Sequence, residues 1–278
     1  MNFLKEYVHL QQKVIKIKSR GEKMTKIIYH EDFAAHYAMD PAAEPGRLEP
    51  AVNLLKEKYS LIVPKPADKE QILLIHSERH YHSISADRLL LHTALLSAGA
   101  AIEAAKTAMN GEYTFALCRP PGHHASPDSC WGFCYFNNIA IAVKEALQVG
   151  KVNSALIVDF DLHFGDGTAN AFEGVKEVSF WHSHETNRQR YLEHLRSDLD
   201  NLDADIVAIS AGFDRGVDDW GGILTADDYK EIGTLLAFFA RQKCQNRLFA
   251  VLEGGYNHQA LAKNIDAFLS GLKTPGHA

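Results

Sequence analysis

The sequence predicts an α/β fold: a single domain with a central, mostly parallel sheet and helices on both faces. Three observations predict it. Short runs rich in Ile, Val, Leu, Ala and Phe alternate with longer helical patterns. The runs are apolar throughout rather than at every second residue, as strands covered on both faces are. No internal repeat, low-complexity tract or linker divides the chain, and 278 residues suit one large domain.

The elements follow in order. Residues 1–24 carry six basic and two acidic side chains. They lack an apolar core segment and a small-residue cleavage site, so they are not a secretory signal. They are read as a poorly ordered basic extension, with residues 25–278 as the single domain. Strand-like runs are expected at 26–29, 114–118, 155–160, 205–210 and 248–252. The Ala- and Leu-rich stretch 86–109 predicts a long helix that stops at Asn110-Gly111. A second helix is expected over 137–148, running to Gly150. A charged amphipathic helix is expected over 185–202. Thr225 and Asp228 give the next helix, 225–243, a capping signature. A last helix covers 257–272.

Composition excludes several classes. Hydrophobic residues make up 46% and charged residues 23%, which argues against disorder. The net charge of −6 argues against a nucleic-acid partner. No apolar run is read as long enough for a membrane span, so no membrane partner is expected. Cys118, Cys130, Cys134 and Cys244 form no CxxC pair, which disfavours a zinc ribbon or disulfide scaffold. Cys134 reads as a small buried hydrophobe. Cytoplasm is the expected compartment, and the oligomeric state is not encoded in any motif.

Ligands of open α/β sheets bind beyond the carboxyl ends of the strands. Four runs here lead into polar or glycine-rich segments. Run 114–118 is followed by Arg119-Pro-Pro-Gly-His-His-Ala, and run 155–160 continues as Asp159-Phe-Asp-Leu-His-Phe-Gly-Asp-Gly. The run ending at Ser210 meets Ala-Gly-Phe-Asp214, and the last meets Glu253-Gly-Gly-Tyr-Asn. Alternate residues of an extended chain face one way, so Asp161 and His163 can reach one metal ion. Asp214 completes a ligand set of two carboxylates and one imidazole. That set suits Zn²⁺ with a position left for water, and also Fe²⁺ or Co²⁺. Trp131 and Phe133 read equally as core or pocket lining.

On these motifs, together with Gly132-Phe-Cys-Tyr-Phe-Asn-Asn, the chain resembles the histone deacetylase and acetylpolyamine amidohydrolase superfamily, which has the arginase–deacetylase fold. The motifs stand in family order, and weaker similarity extends the match to about residues 25–272. The resemblance implies zinc ligation by Asp161, His163 and Asp214, and proton handling by His123 and His124. It implies that Asp159 and Asp166 orient those imidazoles and that Tyr256 polarises the scissile carbonyl. Gly132 and Phe133 correspond to one wall of an acyl-lysine tunnel, and Gly254 and Gly255 to its substrate-binding floor. A structural K⁺ or Na⁺ is implied at Asp159, Asp161, His163 and Ser179. The implied activity is hydrolysis of a small-molecule or peptide N-acyl amide. Hydrolysis of another small amide or ester, and acyl-ligand binding without turnover, are the alternatives.

The chain also departs from the family pattern. Only 51 positions separate His163 from Asp214. The family's Pro-Gly-Thr-Gly loop, with the aromatic of the second tunnel wall, has no match there. Trp181, His182 and His184 are the candidates to replace that aromatic. Phe164 stands where many members have histidine, and Asp218-Asp-Trp-Gly-Gly replaces Asp-Pro-Leu-Gly.

Overall fold

The computed structural model describes residues 25–274; the expectation for residues 1–24 lies outside the described residues. Seven strands form one sheet in the order β2-β1-β3-β7-β6-β4-β5. They are β1 (Lys26–Ile28), β2 (Ser60–Ile62), β3 (Thr114–Ala116), β4 (Ala155–Asp159), β5 (Val178–His182), β6 (Ile206–Ala211) and β7 (Leu248–Leu252). Every pairing is parallel, so the sheet is wholly rather than mostly parallel.

Five strands match the five apolar runs. In β3, β4, β6 and β7 every residue is buried, which is why each reads as a continuous apolar run. The two strands without a counterpart in the sequence reading, β2 and β5, are the two edges of the sheet. Edge strands are covered less completely, so their composition is mixed. Ser60 and Leu61 are exposed, and β5 contains Ser179 and His182.

Nine helices are described: α1 (Glu49–Leu55), α2 (Lys69–Ile72), α3 (Glu78–Ile84), α4 (Arg88–Ala108), α5 (Asn138–Gln148), α6 (Asp166–Ala171), α7 (Arg188–Asn201), α8 (Ala226–Lys243) and α9 (His258–Lys273). The expected helices correspond to α4, α5, α7, α8 and α9. Their starts are set by side-chain caps, which satisfy amide groups that no helical carbonyl can reach. Asp87, Asn137, Asn187 and Asn257 cap α4, α5, α7 and α9, and Thr225 with Asp228 closes a full capping box on α8. The Asn187 cap starts α7 three residues later than the sequence suggested.

One expectation needs correction. By length and composition α4 is apolar enough to cross a membrane. Its apolarity instead serves the core: α4 packs against α5 and against β1, β3 and β7. At Gly99 a Cβ would lie 1.9 Å from the Lys65 carbonyl oxygen, so only glycine lets this helix meet the 65–67 segment. Helices α8 and α9 pack on one another, with α1 against α9 and α7 against α8. The carboxyl ends of β3, β7, β6 and β4, four neighbouring strands, open on one rim.

Candidate metal centre and active site

The rim is built from four strand ends. β4 finishes at Asp159, which pairs across the sheet with Ser210 of β6. Asp159 Oδ1 accepts from the Asp161 amide at 3.0 Å, which turns the chain sharply and directs Asp161 and His163 upward. The loop after β6 supplies Asp214, whose Oδ1 accepts from the Leu162 amide at 3.0 Å. The loop after β7 supplies the Gly254 amide, which donates to Asp161 Oδ2 at 2.8 Å. A Cβ on Gly254 would stand 2.6 Å from Asp161 Oδ2 and 2.8 Å from Asp214 Oδ2, so this approach requires glycine.

Asp161, His163 and Asp214 therefore converge as expected. One ligand atom from each lies within 4.8 Å of the others. His163 Nδ1 is 3.2 Å from Asp161 Oδ1 and 3.1 Å from Asp214 Oδ2. Both carboxylates are essentially inaccessible, and Asp214 Oδ2 accepts no hydrogen bond. Burial, then the Asp161 charge, pushes the Asp214 carboxyl up to about 6. Burial also opposes ionisation of Asp161, but His123, His163 and two amides hold it well below the usual range. The Asp161 and then the Asp214 carboxylate beside its Nδ1 raise His163 to about 10. Two buried carboxylates around one imidazole nitrogen, with an orphaned oxygen aimed inward, fit a divalent cation bound through oxygen and nitrogen.

The tandem histidines lie beside this centre. His123 Nδ1 donates to Asp159 Oδ2 at 3.0 Å, and His124 Nδ1 to Asp166 Oδ1 at 2.6 Å. Their environments pull them apart. Burial disfavours the charged form of His123, but Asp161 and Asp159 outweigh it and raise its pKa well above the ordinary value. Burial and the neighbouring His123 lower His124 to about 4. The His124 ring is thus neutral, with its proton on Nδ1 and Nε2 left as an acceptor.

Gly132, at φ 58°, meets His124 so closely that a Cβ would lie 2.4 Å from the ring. Phe133 follows at φ 65°, a conformation rare outside glycine and typical of functional loops. Its ring meets Tyr256 edge-on at 6.0 Å. Burial, then Asp161, pushes the Tyr256 phenol far above its ordinary value, so it remains a donor. The Gly255 carbonyl accepts from Arg47 Nε at 2.8 Å, which fixes the Tyr256 loop from below. His123, His124, Gly132, Phe133, Gly254 and Tyr256 all line one cleft of about 130 Å³.

Four further residues shape the cleft, and Trp131, left open between core and lining by the sequence, is one of them. Trp131 lies tilted against His124, ring centres 3.9 Å apart, and donates from Nε1 to Asp166 Oδ2 at 2.8 Å. Trp220 stacks on Tyr256 at 4.0 Å and meets His163 edge-on at 6.1 Å. Glu253, fully buried, accepts from the Gly122 and His123 amides at 2.7 and 3.1 Å. Burial raises its carboxyl to about 7, against the pull of His123. Arg47 donates to the Glu253 carbonyl at 2.6 Å and lies over the Tyr256 ring. The exposed aromatic in the substituted Asp218–Gly222 segment was the signal for Trp220. Glu253 and Arg47 act through backbone groups and leave no such signal.

Two expectations are corrected here. None of Trp181, His182 and His184 lines the cleft: Trp181 is buried against Tyr191 and His194, while His182 and His184 pack around Phe164. Trp220 is the additional ring at the cleft. Nor does Ser179 reach the other three members of the expected monovalent-cation set. Ser179 pairs with Leu156, three residues down β5, whereas His182 pairs with Asp159. An odd offset along a strand also puts Ser179 on the opposite sheet face. The side chain beside Asp159 is thus His182, whose ring nitrogens make no hydrogen bonds. Cys134 behaves as expected: it is buried, and burial drives its thiol pKa well up.

A family model described as histone deacetylase domain matches residues 42–194 and 188–272. A probable deacetylase of Archaeoglobus fulgidus is 30% identical over 84% of this chain and 82% of its own. Another, from Methanothermobacter thermautotrophicus, is 31% identical over 76% of this chain and 78% of its own. The polyamine deacetylase HDAC10 of Homo sapiens is 27% identical over 87% of this chain, which matches 47% of that protein. The crystal structure of the HDA15 HD domain superposes with a TM-score of 0.80, covering 90% of each chain at 23% identity, a likeness of fold.

Proposed function

The chain belongs to the histone deacetylase domain family, and from that premise we propose that it is a zinc-dependent hydrolase that cleaves an N-acetyl amide to a free amine and acetate. The observation that carries the reading is the buried Asp161–His163–Asp214 set with its orphaned carboxylate oxygen, opening on the same small cleft as the tandem histidines and Tyr256.

Bound by Asp161, His163 and Asp214, a zinc ion would supply Lewis acidity and a water of pKa about 7. The chain supplies the rest. The neutral ring of His124 offers Nε2 as a base, and its Nδ1–H on Asp166 fixes that tautomer. His123, held through Nδ1 by Asp159, lies beside the metal centre and next to His124. The proton taken by His124 is then available to the departing amine. Tyr256 donates its phenol hydrogen to the carbonyl oxygen as negative charge develops there. Trp131 shields the His124–Asp166 pair from water.

The acidic character of the chain favours a cationic amine product, such as a polyamine or a lysine side chain. The test is amine release from acetyl-lysine peptides, acetylpolyamines and longer acyl analogues, by zinc-loaded protein beside an Asp214→Ala control. The proposal expects turnover of acetylated substrates that vanishes in the control. Folded, zinc-loaded protein inert on the whole panel would refute it.

A further inference from the structure

A buried arginine reaches the Asp161 carbonyl, one of the groups expected around a monovalent cation. Arg215 follows the ligand Asp214 in sequence, and only 2% of its surface is accessible. Its guanidinium does not turn outward. Nη2 donates to the Asp161 carbonyl at 2.8 Å, to that of Ser183 at 3.1 Å and to that of Leu162 at 3.3 Å. Nη1 donates to the Glu185 carbonyl at 3.3 Å. The charge also lies over the Tyr191 ring, 4.8 Å from its centroid.

These carbonyls come from two segments, the turn after β4 that bears Asp161 and the connection after β5. A ring of backbone carbonyls from converging loops is the donor set that a K⁺ or Na⁺ ion takes, because carbonyl oxygens can replace its hydration shell. Here they face an N–H donor of fixed charge. The neighbouring side chain agrees. His182, opposite Asp159, is held below its usual pKa by burial, against the pull of Asp159 and with the Arg215 charge acting in the same direction as burial. Ser179 is on the other face of the sheet and offers no hydroxyl.

We infer that the Arg215 guanidinium replaces the family's monovalent cation beneath the metal centre, so that this protein needs neither K⁺ nor Na⁺. Arg215 is a positioning residue. Its hydrogen bonds tie the Asp161 turn to the β5–α7 connection. An arginine suits this task because its charge persists at any physiological pH and its donors lie in a rigid plane. Unlike a bound ion, it cannot dissociate when the salt changes. The shortened chain between His163 and Asp214 thus keeps its centre rigid without recruiting an ion.

The inference is independent of the substrate, and its test does not require turnover. Thermal unfolding and zinc affinity of the full chain would be measured in KCl, NaCl and choline chloride at one ionic strength, with the Arg215→Met variant in parallel. The wild type is expected to show the same midpoint and the same zinc Kd, within about twofold, in all three salts. In Arg215→Met the emptied carbonyl ring becomes a cation site, so KCl or NaCl should raise the midpoint, or the recovery of folded protein, above the choline value. A wild type whose zinc Kd tightens several-fold in KCl over choline overturns the inference. So does an Arg215→Met protein that responds to none of the salts, or that cannot be recovered in any of them. Arg215→Lys, which keeps a charge at the position, should be less salt-responsive than Arg215→Met.

Discussion

His76 lies on α3's approach to the site loop, and the structure dictates how acid should act there. The ring is buried and bonded at both nitrogens. Nδ1 donates to the Ser126 carbonyl at 3.1 Å, and Nε2 accepts from the Asn137 amide at 2.8 Å. Only the neutral tautomer protonated at Nδ1 satisfies both contacts, since a proton on Nε2 would face an N–H donor. Burial, then the nearby His80, lowers the pKa from 6.5 to about 4. The unfolded chain therefore binds a proton that the folded chain refuses between pH 6.5 and 4. Stability from this group is fully present above pH 6.5 and falls by about 1.4 kcal/mol per pH unit below it. It levels off below pH 4, after a loss of about 3 kcal/mol. His76→Gln keeps a donor and an acceptor but carries no titratable proton. Urea unfolding of both proteins at pH 7, 6, 5 and 4.5 isolates the histidine. The variant should be less stable at pH 7 and should lose less stability on acidification, closing the gap by about 2 kcal/mol at pH 4.5. A wild-type-minus-variant difference that stays constant over that range would refute the reasoning.

Other perturbations act on the centre itself. Tyr256→Phe removes one donor to the developing oxyanion; kcat should fall about 10²- to 10³-fold while zinc content, by elemental analysis, is retained. Asp214→Asn removes one of the two charges that hold His163 protonated, so NMR titration of the metal-free protein should show a lower His163 pKa than the wild-type value of about 10. Glu253→Ala leaves the Gly122 and His123 amides without their acceptor, which should cost about 1–3 kcal/mol in chemical denaturation and lower kcat. Trp220→Ala uncovers Tyr256 and widens the cleft, so KM for an acetylated amine should rise more than kcat falls, whereas Trp220→Phe should stay near the wild type.

The sequence made some features legible because burial is written in composition. Val158 and Ile209 sit mid-sheet with apolar neighbours on every side, so β4 and β6 announce themselves. A carboxylate such as Asp161 or Asp214 placed where such a run ends contradicts its surroundings, and that contradiction marks a site. The edge strand β5 has less to bury, and Ser179 and His182 could each be placed beside Asp159 until the register chose between them. The pairing of Asp159 with His182 is a fact of hydrogen-bond alignment, and no local pattern encodes it. Arg215 is hidden for a different reason. Its partners are main-chain carbonyls, which every residue has, so its role appears only when the Asp161 turn and the β5–α7 connection are brought together.

The distribution of charge explains why so many of these groups are fixed by backbone. Asp159, Asp161, Asp214 and Glu253 are all buried within one rim, and clustered ions of one sign are stable only when charge and hydrogen bonds compensate them. Compensation by flexible side chains would let the carboxylates turn away from the metal. Here Asp161 is clamped by the His163 and Gly254 amides, Asp214 by the Leu162 amide, and Glu253 by the Gly122 and His123 amides. The cations are clamped too: Arg47 and Arg215 each donate to carbonyls rather than to the carboxylates. The arginines therefore brace the backbone around the cluster without occupying the carboxylate oxygens themselves. Asp214 Oδ2 remains directed at His163 Nδ1 and free to ligate, which an arginine bound directly to that carboxylate would have prevented.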